Sequence, residues 1–105
     1  MEHKNINILA IGRNEAIMQV LERLINQTWR GHTVSTEDEA LAAIAKDHYD
    51  IVLFSSGLTQ DEEAVLQKKL SVVNPTLIFI QHMGGGSGLL ENEILAALDK
   101  REKQI

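Results

Sequence analysis

Two hydrophobic rhythms alternate along this chain, a short apolar run and then a helical stripe, and the pair recurs four times. Ile6 to Ile11 (INILAI) has almost no polar relief, the pattern of a strand buried on both faces. From Glu15 the period lengthens. Ile17, Val20, Leu21, Leu24 and Ile25 fall on one helical stripe, predicting a helix to Thr28 or Trp29. Asn14 stands where an N-cap belongs, and Glu15 suits the positive end of the helix dipole. Trp29 follows as a ring covering the rim of the core.

Arg30-Gly31 breaks that helix, and His32 to Ser35 predicts a short second strand. Thr36-Glu37-Asp38-Glu39 has the form of a capping box, with Leu41, Ile44 and several alanines behind it on one face. The acids of this run serve to stabilise a helix start. Asp50 to Phe54 (DIVLF), the most uniformly apolar strand, belongs in the middle of a parallel sheet. A second capping box, Thr59-Gln60-Asp61-Glu62, opens a helix to about Val72 with Val65, Leu66 and Leu70 inward, and Asn74-Pro75 ends it. Thr76 to Ile80 is the fourth strand. The last helix is expected from Ser87 to about Lys100, with Leu90, Ile94, Ala97 and Leu98 on one face.

Composition narrows the class. A chain of 105 residues makes one domain spanning 1–105, and with four aromatic residues its core must be aliphatic. A net charge of −5 argues against a nucleic-acid surface. Without cysteine there are no disulfides, thiolate metal sites or cysteine nucleophiles. The apolar part of the N-terminus is far too short for a membrane span or a signal sequence, so a cytoplasmic protein with no membrane partner is expected.

Strands alternating with helices of ten to fifteen residues imply right-handed crossovers and a parallel sheet. The expected fold is α/β, a three-layer sandwich of Rossmann or flavodoxin-like type. With the first and third strands central, its four-stranded sheet runs in the order 2-1-3-4. The stretch GHTVSTEDEALAAIAKDHYDIVLFSS resembles the second-to-third-strand region of response-regulator receiver domains. INILAIGRNEAIMQVLERLI is similar to their first strand and helix, and the likeness covers roughly residues 5 to 80.

The resemblance implies a signalling module, but the functional residues of receivers do not carry over. Where a receiver places two Mg²⁺-binding acids after its first strand, this chain has Gly12, Arg13 and Asn14, with Glu15 one place too late. Ser55 holds the place of the phosphorylated aspartate, and Ile80 that of the Thr or Ser closing the fourth strand. No later strand ends in Lys-Pro. Too few residues follow Ile80 for a further helix, strand and helix, so the fourth strand is expected to feed the final helix directly. That leaves LIFI as an apolar edge, which soluble proteins cover: either the glycine loop folds over it or a second subunit does, and a homodimer through the edge or the glycine loop is the expectation.

Ligands of open α/β sheets bind beyond the carboxyl ends of the strands, where strand order reverses. The residues expected there are Arg13, Asn14, Ser55, Ser56, Gln81, His82, Gly84, Gly85, Gly86 and Ser87. This set is rich in hydrogen-bond donors, poor in acids, and carries one fixed cation. It suits an anion such as phosphate, sulfate or a carboxylate. The glycine run serves equally well as a plain flexible connection. It is neither a Walker A motif nor G-x-G-x-x-G, and the histidines lack ligand spacing, so no cofactor, metal site or catalytic residue is assigned. The leading expectation is a non-catalytic receiver-like module acting on an unknown protein partner. The alternative is an anion- or phosphate-binding protein, or an enzyme acting on such a ligand, built on Gly84–Ser87.

Overall fold

The computed structural model describes residues 6–55, 57–81, 92 and 94–99. The elements are β1 (Asn7–Ile11), α1 (Glu15–Asn26), β2 (Arg30–Val34), α2 (Glu37–Lys46), β3 (Ile51–Phe54), α3 (Gln60–Val73) and β4 (Ile78–Gln81). Residues 94–99 are helical. All strand pairings are parallel, and the sheet order is β2-β1-β3-β4, as the apolar content of β1 and β3 predicts.

The two-residue alternation of the strands separates the core into two layers. Leu9, Ile11, Val52 and Phe54 point to one face, where they meet Ala40 and Ile44 of α2 and Leu66 and Leu70 of α3. Ile8, Ala10, Ile51 and Leu53 point to the other, against Met18, Leu21 and Ile25 of α1, Trp29 and Ile94. Both faces of β1 and β3 are thus covered, which is why these strands carry no polar side chain beyond Asn7 at the rim. No described helix is long and apolar enough to cross a membrane.

Several boundaries depart from the periodicity. α1 stops at Asn26, and Arg30-Gly31 lies inside β2 rather than between helix and strand. The cause is local: the Asn26 side-chain amide donates to Glu22 O and Gly31 O, and its oxygen accepts from Gly31 N, so one side chain closes the helix and starts the strand. The apolar stripe of α1 is wider than its buried face. Ile17 and Val20 are exposed, whereas Met18 takes the inward position. Val65 of α3 is likewise exposed beside buried Leu66. β4 begins at Ile78 and extends through Gln81, so the residue closing it is Gln81 and not Ile80.

Gly31 is where β2 passes closest to α1. A Cβ there would lie 2.5 Å from Ile25 Cγ2, and Ile25 is fully buried with no room to retreat. Gly31→Ala is expected to destabilise the fold by about 1–3 kcal/mol, read as a lowered urea midpoint with an unchanged slope.

Candidate functional site

The carboxyl ends of β1 and β3 lie side by side, joined where Ser55 N donates to Ile11 O at 2.8 Å. Arg13 leaves this edge directly after Gly12. Its Nη1 donates to Glu62 Oε1 at 2.9 Å and to the Gly57 carbonyl at 3.3 Å, and its Nη2 pairs with Glu62 Oε2. The cation expected to stand open for an anion is therefore already held by a carboxylate. That carboxylate comes from the second capping box: Thr59 Oγ1 accepts from Glu62 N, and Glu62 Oε1 accepts from Thr59 N.

Gln81, at the end of β4, is engaged in the same way, its Nε2 donating to Glu63 Oε1. The acidic first turn of α3 thus reaches both flanking strand ends and brackets the end of β3. Asn14 is spent on capping, its Oδ1 accepting from Ile17 N at 3.1 Å. Ser55 is buried at 5% exposure. Ser56, His82, Gly84, Gly85, Gly86 and Ser87 lie outside the described residues. The structure brings Arg13, Ser55 and Gln81 to one edge, as expected, but surrounds them with acids that the site was expected to lack.

Glu62 and Glu63 stand at this edge without a sign of it in the sequence. The capping-box spelling identifies Glu62 as an N3 carboxylate, but nothing local indicates that Arg13 lies across from it. Gly57 is part of the same arrangement. It adopts φ +89, the left-handed region open to glycine, and a Cβ there would approach Arg13 Cβ to 2.9 Å. Its backbone turns so that its carbonyl meets the guanidinium.

Carboxylates at this edge are held ionised by their donors. Glu62 sits below the usual carboxylate range, chiefly through the Thr59 backbone N–H and then through Arg13. Glu39 is lowered by the Ser35 backbone N–H, then by the Ser35 and Thr36 hydroxyls. Here Glu39 bonds back to Ser35 N rather than to Thr36 N, a variation on the expected capping box. Because both folded values are depressed, their contribution is complete above the ordinary value of 4.5 and is lost as pH falls through the lowered ones. Melting temperatures recorded in the acid range should fall less steeply for Glu62→Gln and Glu39→Gln than for the unsubstituted chain.

The Mg²⁺ ion of receivers does not fit this edge. That ion takes carboxylates from the ends of the first and third strands, whereas Gly12, Arg13, Asn14 and Ser55 offer none and Arg13 brings a positive charge. Among the described residues, no three Asp, Glu or His side chains converge as metal ligands.

The open space lies beside Arg13. A cleft of about 440 Å³ opens between the ends of β1 and β2, bounded by Arg13, Glu15, Gln19, Thr33 and Glu39. A second, more apolar one of about 240 Å³ lies between the first turns of α2 and α3.

Solved structures share this architecture. A CheY-like response-regulator receiver domain from Methanospirillum hungatei JF-1 superposes with a TM-score of 0.81 at 18% identity, covering 96% of this chain and 99% of that one. The signal receiver domain of an HD-domain-containing protein from Pseudomonas fluorescens Pf-5 gives 0.75 at 18% identity, over 94% of this chain and 98% of the other. An adenylate cyclase from Rhodopirellula baltica gives 0.67 at 19% identity, over 92% and 71%. No family model matches the sequence, and no curated protein matches it either. At such identities the likeness is one of fold: the chain is a receiver-like α/β domain.

Proposed function

We propose that this chain is a non-catalytic receiver-like signalling module that works through protein contacts and not through aspartyl phosphorylation. The observation that carries this reading is the residue set at the β1 and β3 ends. An arginine and a serine stand where phosphoryl transfer to an aspartate needs acids, and the carboxylates that α3 brings to this edge are bound to Arg13 and Gln81. A guanidinium cannot ligate Mg²⁺, and a half-satisfied acid pocket cannot be assembled from α3 without breaking those pairs. Incubation with acetyl phosphate and Mg²⁺ is expected to leave the intact mass unchanged. A phosphoryl adduct on any carboxylate, recognised as an acyl phosphate by its loss in both acid and base and its cleavage by hydroxylamine, would overturn the reading.

The contact surface proposed is the β4 edge, and the occupant a second copy of the chain. The two sheet edges differ in kind. β2 presents Arg30 and His32, the charged and polar residues that discourage strand addition, whereas β4 presents Ile78, Phe79 and Ile80, all half-buried. Static light scattering of the purified chain at tens of micromolar should give the dimer mass. A monomer mass at that concentration would remove the homodimer from the proposal.

A further inference from the structure

We propose that the cleft between the carboxyl ends of β1 and β2 binds a small zwitterion of the α-amino-acid type. The carboxylate would sit on the free edge of Arg13 and the ammonium on Glu15 and Glu39. The cleft measures about 440 Å³, within the size range of small-molecule sites. It goes beyond the module reading, and it stands or falls without it.

The charges lining the cleft select the ligand. Arg13 uses its two terminal nitrogens on Glu62 and Gly57 O. The planar guanidinium has a second fork, Nε–H with the outer N–H of Nη2, which no described residue occupies. That edge is suited to a bidentate oxyanion. Glu39, which lines the same cleft, concentrates its protein bonds on Oε1, which accepts from Ser35 N, Ser35 Oγ and Thr36 Oγ1, leaving Oε2 without a protein donor among the described residues. Glu15 has no described partner. A simple anion entering here meets two carboxylates, and a simple cation meets an arginine. A molecule bearing both charges satisfies both ends at once. The Thr33 hydroxyl and Gln19 amide, unengaged by described residues, add neutral hydrogen bonds, and buried Met18 supplies an apolar wall.

The geometry also makes binding inexpensive. Arg13 already lines the cleft, and its side chain is 54% exposed, so a ligand can take the unoccupied fork while the bonds to Glu62 and the Gly57 carbonyl stay in place.

The test is a thermal-shift and calorimetric titration of the full chain against the standard L-amino acids. Controls are the matching carboxylic acids, the matching amines and inorganic phosphate. At least one amino acid is expected to raise the melting temperature, while its two half-molecules and phosphate leave it unchanged at the same concentration. Arg13→Gln and Glu15→Gln should each weaken that amino acid about tenfold or more, the worth of one charge-assisted hydrogen bond. Glu62→Gln, which removes the same ion pair while leaving the guanidinium in place, should bind as well as or better than the unsubstituted chain. The proposal is overturned if no amino acid stabilises the protein, if a carboxylic acid or phosphate alone binds as tightly, or if Glu62→Gln loses as much affinity as Arg13→Gln. None of these results bears on the acetyl-phosphate experiment, so the two proposals fail separately.

Discussion

Phe54→Ala should remove about 3–5 kcal/mol of folding stability, a large part of the roughly 5–15 kcal/mol that holds a domain of this kind together. Phe54 is 2% exposed at the end of β3, and its ring stacks on Phe79 of β4 with centroids 5.8 Å apart and planes 11° from parallel. Truncation opens a cavity under α3, beside Leu66 and Leu70, that a fully packed sheet cannot collapse to fill. It also removes the aromatic pair tying the edge strand to the central one, worth about 0.5–1.5 kcal/mol beyond area. Chemical denaturation should show the midpoint falling far. Phe54→Leu, which keeps most of the volume, should recover much of the loss. A small shift for Phe54→Ala would mean that β4 contributes little to the cooperative unit.

Gly57→Val is expected to be the most damaging change at the strand ends, at about 2–4 kcal/mol from left-handed strain and overpacking together. The residue sits at φ +89, where a β-branched side chain is a severe outlier, and its Cβ would come 2.9 Å from Arg13 Cβ. Gly57→Asn, which tolerates the left-handed region better but still meets Arg13, separates the two contributions. Because the Gly57 carbonyl accepts from Arg13, the substitution also displaces the guanidinium from Glu62. Urea unfolding reads the first effect. The second appears as an acid limb resembling that of Glu62→Gln, since the Arg13 contribution to keeping Glu62 ionised is lost.

How far the sequence could be read depended on the range of the interaction involved. The strand–helix alternation, the parallel sheet and its order 2-1-3-4 follow from apolar runs and their relative polarity, and these survive in the structure. Capping signals were equally legible. Asn14 caps α1 and Thr59-Glu62 forms a full capping box, because each depends only on residues within one turn. The α1 stripe departs from its periodicity at Ile17 and Val20, which are exposed. Periodicity marks an apolar face but cannot say where its centre meets the sheet, and the sheet chose Met18, Leu21 and Ile25.

The candidate site was legible only in part. Arg13, Ser55 and Gln81 do arrive at the carboxyl edge, since strand ends of a parallel sheet share one side. What the sequence could not convey was their partners. Glu62 lies 49 positions from Arg13, and Glu63 lies 18 from Gln81. Taken alone, a carboxylate in a helix's first turn reads as a dipole partner.

The sequence by itself thus determined the class of fold, the central strands and the helix starts. All of these are written in local composition and period. Tertiary structure alone decided that Arg13 is paired rather than open. It also decided that the first turn of α3 spans the strand ends, and that a cleft opens between β1 and β2. Those features are set by which groups the packed sheet brings within hydrogen-bond reach, and distance along the chain carries no record of that.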